Sequence, residues 1–514
     1  MLQPSRSEFR RRCRQGNLVP LWREFLADLA TPVSAYAALR QSGAAGSERG
    51  MFLLESVEGG ERLGRFSFIG SGPGLVFRAR GTSAELLGGE GVVRRWEGAD
   101  PLQALREVLA GYRAVPDPEL PRFFGGAVGH ISYDWISRVE RRVPLSRGGG
   151  LDWPEMRFMI ADTLVIFDHV RHTIRIVADA HVQGDPDRAY DRAAERIEGV
   201  HRRLTCPVSH RLAEASARPA CLRRGRQAAE VRFRSNMEPD QFKAAVRRAR
   251  EYISAGDVIQ VVLSQRFEAP GEVDPLAAYR ALRSLNPSPY MFFLEFGDRS
   301  LVGSSPEVHV RCEEGKVEIR PIAGTRPRSE DPAEDERLGA ELLADPKERA
   351  EHIMLVDLAR NDIGRVCTYG SVRVPELMVI ERYSHVMHIV SDVVGRLAPG
   401  RDAFDVMRAT FPAGTVSGAP KIRAMQIIAE LEPVRRGPYA GAVGYFSFDG
   451  NLDSCIVIRT ILFDRGTAYV QAGAGIVADS DPEREYEETC NKARGMLKAL
   501  EIARGWGSPG GDRG

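Results

Sequence analysis

The sequence predicts an α+β fold. Three observations carry this: short apolar runs broken by glycine between Met51 and about Val200, hairpin turn sequences joining strands near the C-terminus, and helical segments set between groups of strands instead of alternating with them. In chain order, Met51-Phe-Leu-Leu54, Arg65-Phe-Ser-Phe-Ile69 and Thr163-Leu-Val-Ile-Phe167 read as strands of a sheet-rich region, residues 1–205. Residues 206–236 hold seven arginines and a single aromatic, Phe233, which leaves little to bury and reads as a linker. A second region, 237–504, opens on a helix whose Phe242, Val246, Ala249 and Ile253 keep helical spacing until Gly256, and a strand over 258–263 follows. Tyr445-Phe-Ser-Phe448, Ser454-Cys-Ile-Val-Ile458 and Ala468-Tyr-Val-Gln471, with Asp449-Gly-Asn and Asp464-Arg-Gly as turns, read as an antiparallel meander. Residues 505–514 read as a flexible tail.

At 514 residues, 43% hydrophobic and 27% charged, the chain has the composition of an ordinary enzyme-sized folded protein, which excludes a mainly disordered, collagen-like or disulfide-scaffold chain. Lysine plus arginine number 71 against 70 acidic residues, so the charge balance calls for neither nucleic acid nor a membrane as partner. Seven scattered cysteines, an odd number, fit a reducing compartment. The arginine-rich start lacks the apolar stretch of a secretory signal and no run is long enough to span a bilayer, so a cytoplasmic location is expected. The basic start is either a solvated tail or an organelle transit peptide.

Two helices each carry glutamates three residues apart, Glu348 with Glu351 and Glu485 with Glu488, a spacing that puts each pair on one face. Four carboxylates from two helices can enclose one hard cation such as Mg²⁺, which takes few protein ligands directly and keeps waters. Two solvated helix faces are the plainer reading. Asp481 as cap and Pro482 in the first turn place Glu485, Glu488 and Lys492 along one stripe. Arg459 ends the apolar run Cys455-Ile-Val-Ile458, where its guanidinium needs either a carboxylate ligand or an edge open to water. Gly473-Ala-Gly475 imitates a dinucleotide fingerprint, but the cap signal before Pro482 delays the helix and the preceding strands are hairpin-joined; the bare N–H groups at both glycines can still receive a carboxylate. Ser384-His-Val-Met-His388 has no third ligand for zinc, so proton transfer by a histidine is the functional reading and a hydrogen-bonded structural histidine the plain one. None of the cysteines has the flanking glycines of a nucleophile elbow, so a glutaminase thiolate is not expected in this chain.

Pro321-Ile-Ala-Gly-Thr-Arg326, Leu355-Val-Asp-Leu-Ala-Arg-Asn-Asp362, Tyr383-Ser-His-Val-Met-His388, Phe411-Pro-Ala-Gly-Thr-Val-Ser-Gly-Ala-Pro-Lys421 and Ala472-Gly-Ala-Gly-Ile476 together resemble the chorismate-utilising enzymes, densely over residues 238–500. The resemblance implies two large, mainly antiparallel sheets packed as a sandwich with helices outside, the two halves of the chain interleaved. Ala323 stands where many aminodeoxychorismate-forming members carry a nucleophilic lysine, and Gln260 where the water-adding members carry a lysine general base. With both lysines missing, ammonia is the nucleophile that remains. The implied reaction adds ammonia at C2 of chorismate with loss of the 4-hydroxyl, then eliminates pyruvate to leave anthranilate, a lyase step of tryptophan biosynthesis.

By the same resemblance, Glu351 and Glu488 are direct Mg²⁺ ligands with Glu348 and Glu485 in support, and Glu307 is the acid that protonates the departing hydroxyl. His388 serves the pyruvate elimination and Thr415 lies with the catalytic group; Thr415, Gly324 and Thr325 line the substrate. Tyr439, Arg459, Gly473, Gly475 and Lys492 hold the enolpyruvyl carboxylate. Leu53-Leu-Glu-Ser56 resembles the family's tryptophan-site motif, which implies feedback inhibition by L-tryptophan bound between Ser56 and Pro289, Tyr290 and Met291; a buried strand end is the plainer reading. A separate glutamine amidotransferase subunit is the implied partner that supplies ammonia. Two rival readings are the aminodeoxychorismate-forming branch and a catalytically silent regulatory protein that keeps the pocket to sense a ligand.

Overall fold

The computed structural model describes residues 1–27, 29–41, 50–56, 64–205, 233–383 and 386–507. Strand Tyr290–Phe296 illustrates how its layers arise. Successive strand side chains point to opposite faces, so Met291 and Phe293 enter one apolar layer while Phe292, Leu294 and Phe296 enter another. Burial on both faces explains why such strands read as unbroken apolar runs.

Two 12-stranded sheets result, and every named strand pairing in them is antiparallel. In the first sheet, strand Met51–Glu55 pairs with Tyr290–Phe296, Leu53 facing Phe293. In the second, Gly126–Ile131 pairs with Ala442–Ser447, Gly129 facing Gly444. Each sheet therefore crosses from one half of the sequence to the other, as the resemblance implies. Phe52, Phe292 and Leu301 of the first sheet meet Val128, Met159 and Val443 of the second in a shared apolar layer, so the sheets stack face to face. Helices Pro32–Leu39, Pro186–Thr205, Pro275–Leu285 and Pro482–Gly507 cover the outer face of the first sheet, and Pro101–Ala110, Pro346–Gly364 and Ala403–Thr410 that of the second.

The details differ from the sequence reading in four places. The C-terminal strands are not one meander: Ala442–Ser447 and Leu452–Ile456 belong to the second sheet, whereas Thr460–Asp464 and Thr467–Ile476 belong to the first. Between them the chain switches sheets through Arg459, whose φ of 50° turns the backbone at that corner. The strand expected over 258–263 runs Gln260–Pro270, because its polar continuation stays paired with Thr467–Ile476. The expected linker lies outside the described residues except at 233–236, where Arg234–Ser235 pairs with Gln260–Pro270. The expected tail, 505–514, begins inside the final helix, which reaches Gly507. Among the described residues no helix is long and apolar enough to cross a membrane.

Candidate active site

The antiparallel pair Gln260–Pro270 and Thr467–Ile476 forms one wall of a cavity of about 740 Å³. Val262 faces Gly475 and Arg266 faces Gln471, so Gln260, Val262, Gln471, Gly473 and Gly475 lie on the same sheet face and all line the space. A Cβ on Gly473 would come within 2.8 Å of the Tyr439 hydroxyl, and one on Gly475 within 2.7 Å of Gln260 Nε2. The glycines are thus the space in which those polar groups sit, and their N–H groups need no side chain to reach a ligand.

Two helices face each other across this wall. Asp345 caps Pro346–Gly364 by accepting from the N–H groups of Lys347 and Glu348; Asp481 caps Pro482–Gly507 in the same manner through Glu483 and Arg484. Glu348 and Glu351 from the first and Glu485 and Glu488 from the second all line the cavity. Burial, together with the Glu351 charge, pushes the Glu348 carboxyl up; burial likewise raises Glu485, Glu488 adding repulsion while Lys347 of the facing helix offsets it. Glu351 Oε1 accepts from Gln260 Nε2 at 3.0 Å, Glu488 Oε1 pairs with Lys492 at 2.5 Å, and Glu348 lies 3.7 Å from Arg326. Among the described residues no three Asp, Glu, His or Cys side chains converge closely enough to hold a metal ion as they stand. The donor set nevertheless fits a hard divalent cation: all four are carboxylates, and the repulsion that Glu351 exerts on Glu348 and Glu488 on Glu485 is what such a charge relieves.

Glu307 projects from the bend between strands Arg299–Ser305 and Val308–Glu313. Burial pushes its carboxyl up to about 8, with the neighbouring Thr415 hydroxyl pulling the other way. At neutral pH it therefore holds a proton. His388, on strand Val386–Arg396, places Nδ1 2.8 Å from the Gly324 carbonyl and 3.1 Å from Thr325 Oγ1. A carbonyl only accepts, so the proton sits on Nδ1 and Nε2 keeps its lone pair. Burial lowers the ring's basicity, and Arg459 adds to that. Gly324, at φ 66°, sits in strand Ile322–Pro327 where its register against Val386–Arg396 shifts, and a Cβ there would lie 3.0 Å from Glu348 Oε2.

At the far end, burial holds the Arg459 guanidinium below its usual range, and the group that offsets this is Tyr439, not a carboxylate. Burial drives the Tyr439 phenol up to about 12, so it stays a donor. Lys492 Nζ donates to the Gly473 carbonyl at 3.1 Å. A buried cation, a phenol and an ammonium around two bare glycines form a surface able to receive a carboxylate. Every residue expected from the sequence to be catalytic, substrate-binding or metal-holding lines this one cavity. His385 and Ser384 of the histidine motif lie outside the described residues.

A second, smaller cavity of about 70 Å³ lies between the sheets and is lined by Ser56, Pro289, Tyr290 and Met291, the expected effector residues. Sequence reasoning did not name its other wall. Arg311 and Asp453 face each other across paired strands, Arg311 Nη2 donates to Tyr290 Oη at 3.0 Å, Tyr290 Oη donates to Asp453 Oδ1 at 2.9 Å, and Arg122 lies 3.2 Å from Asp453. The buried Tyr445 hydroxyl lines it without a hydrogen-bond partner among the described residues. Pro289 lines both cavities.

Residues 50–498 match a family described as chorismate binding enzyme. The chain is 46% identical over 503 residues to anthranilate synthase component 1 of Acetivibrio thermocellus, covering 98% of this chain and 99% of that one. With anthranilate synthase component 1 of Synechocystis it shares 48% identity over 513 residues, 97% of this chain and 99% of the other. The crystal structure of anthranilate synthase component I from Streptococcus pneumoniae superposes with a TM-score of 0.73 at 40% identity, covering 84% of this chain and 92% of that one.

Proposed function

The chain belongs to the chorismate binding enzyme family, and we propose that it makes anthranilate and pyruvate from chorismate and ammonia, a reading supported by relatives named anthranilate synthase component 1. The observation that carries this is the single cavity that gathers a protonated buried acid, a neutral histidine, paired carboxylates and a carboxylate pocket.

Arg459, Lys492, Tyr439 and the N–H groups of the Gly473 segment receive the enolpyruvyl carboxylate, which orients the ring with its 4-hydroxyl toward Glu307. Ammonia adds at C2 as the ring double bonds shift, and Glu307 gives its proton to the departing hydroxyl, which leaves as water. The added nitrogen, now an ammonium, loses a proton to solvent; His388 Nε2, held by the Nδ1–H bond to Gly324, then takes the C2 proton as the bond from C3 to the enolpyruvyl oxygen breaks, and the enolpyruvate released gains a proton at its methylene carbon to become pyruvate. Glu351 and Glu488, with Glu348 and Glu485 beside them, would hold Mg²⁺, which when bound supplies positive charge for the ring carboxylate. The absence of a nucleophilic lysine at Ala323 and of a basic one at Gln260 supports ammonia as the attacking group.

The second cavity supports inhibition by L-tryptophan, with Pro289 as the shared wall through which occupancy reaches the substrate. The described cysteines Cys13, Cys312, Cys367, Cys455 and Cys490 are all free, which supports a cytoplasmic setting. None supplies a glutaminase site, so a glutamine amidotransferase subunit is the partner that releases ammonia.

The test is anthranilate fluorescence. Purified alone, the chain should convert chorismate with ammonium salts and Mg²⁺, and should use glutamine only when the amidotransferase subunit is added. Aminodeoxychorismate as sole product, or glutamine-dependent synthesis by the single chain with ammonia contamination excluded, would overturn the proposal.

A further inference from the structure

Behind the cavity wall lies a side chain that neither the motifs nor the reaction calls on. Arg436 is 2% exposed. Its Nε donates to Glu432 Oε2 at 2.8 Å, and Nη2 to Glu432 Oε1 at 2.6 Å. Nη1 donates to the Val416 carbonyl at 2.7 Å, and Nη2 also to the Val262 carbonyl at 2.8 Å. The guanidinium lies 4.7 Å from the ring centre of Tyr133 and 5.6 Å from that of Tyr439.

The network continues toward the substrate. Glu432 Oε1 accepts from the N–H of Ser264 at 2.9 Å and from its hydroxyl at 2.8 Å. With that proton committed to a carboxylate, Ser264 Oγ accepts from Gln471 Nε2 at 2.8 Å. Val262, Val416, Tyr439 and Gln471 all line the active cavity, and Val416 follows Thr415, the neighbour of Glu307. One buried fork thus ties together a sheet strand, the turn Gly414–Val416 and the Tyr439 loop.

Stability alone is a weak reason for this arrangement, because desolvating a buried ion pair offsets most of its attraction. Nor does it add much field, since Glu432 balances the charge. What it supplies is geometry: a planar five-donor group can hold two carbonyls and both oxygens of one carboxylate at fixed angles, which an ammonium cannot. We propose that Arg436 is a positioning residue of the chorismate site, setting the Thr415 turn beside Glu307 at a fixed separation from Tyr439 and the carboxylate pocket. This rests on the chorismate reading above.

Arg436→Lys and Glu432→Gln, made in the full chain and assayed with chorismate, ammonium chloride and Mg²⁺, test it. For Arg436→Lys the chorismate KM should rise about tenfold or more and kcat fall by up to about a hundredfold, the scale expected when reacting groups are displaced by an ångström. Glu432→Gln should move both in the same direction by less. The Mg²⁺ concentration for half-maximal activity should stay within about twofold of wild type, because Arg436 bonds to neither glutamate helix. KM and the Mg²⁺ midpoint do not depend on how much protein has folded, so partial misfolding cannot imitate this split. Wild-type chorismate KM and kcat in both variants, or a Mg²⁺ midpoint that shifts along with KM, would overturn the role of Arg436. A wild-type chain inactive on chorismate would overturn the underlying reading and the proposal with it.

Discussion

Glu307→Gln separates chemistry from stability at one atom. Glutamine keeps the shape but cannot give up a proton as an acid, so the amination step should slow by about 10²–10⁴-fold, the usual worth of a general acid. The same change removes a burden on folding. The wild-type carboxyl titrates near 8 when folded against 4.5 as a free side chain, so between those values the folded chain holds a proton that the unfolded chain releases. Wild-type stability therefore falls as pH rises through that window, by about 1.4 kcal/mol per pH unit, and the burden at pH 7 is about 3 kcal/mol. Below about pH 4.5 it vanishes, and above about pH 8 it levels off. Urea denaturation of both proteins at pH 5 and pH 7.5 should show the variant gaining on wild type as pH rises, while anthranilate fluorescence shows it nearly inactive. Activity within tenfold of wild type, or a stability difference that is the same at both pH values, would refute the assignment of a buried proton to Glu307.

Three further outcomes are expected. Glu488→Gln removes one anionic donor at an exposed helix position, so Mg²⁺-dependent turnover should fall at least about a hundredfold with little change in Tm; wild-type activity at saturating chorismate would take Glu488 out of the metal set. His388→Ala should impair pyruvate elimination more than amination, so quenched reactions should accumulate the C2-aminated intermediate that still carries the enolpyruvyl group, aminodeoxyisochorismate; neither intermediate nor product would contradict the division of labour with Glu307. Ser56→Phe should fill the smaller cavity and relieve tryptophan inhibition while sparing catalysis, and an unchanged inhibition curve at fixed chorismate would exclude Ser56 from that site.

Local signals in the sequence were readable where the physics is local. The helix beginning at Pro239 keeps Phe242, Val246 and Ala249 buried and ends before Gly256, whose φ of 80° only glycine adopts easily. The cap at Asp481 likewise follows from residues side by side. What stayed hidden depends on partners far along the chain. Nothing in Val457-Ile-Arg459 signals that the chain changes sheets there, because a turn between strands looks the same whether or not they pair. Arg311 and Asp453 become neighbours only through strand register. Glu432 and Arg436 have the spacing of an ordinary surface helix pair, yet the helix ends at Leu431 and the pair is buried. In the active cavity the family motifs supplied the roles, and the register of Gln260–Pro270 against Thr467–Ile476 accounts for the glycines between them.

The crossing of both sheets from one half of the chain to the other has a consequence for biosynthesis. Strand Met51–Glu55 leaves the ribosome long before Tyr290–Phe296, its partner, has been made. At roughly 5–20 residues per second, the nascent N-terminal half waits on the order of ten seconds or more with that edge unpaired, and the edge of Gly126–Ile131 waits in the same way for Ala442–Ser447. Unpaired apolar edges invite pairing with other chains. Neither half, expressed by itself, should therefore give a soluble folded fragment, whereas the two halves produced together should.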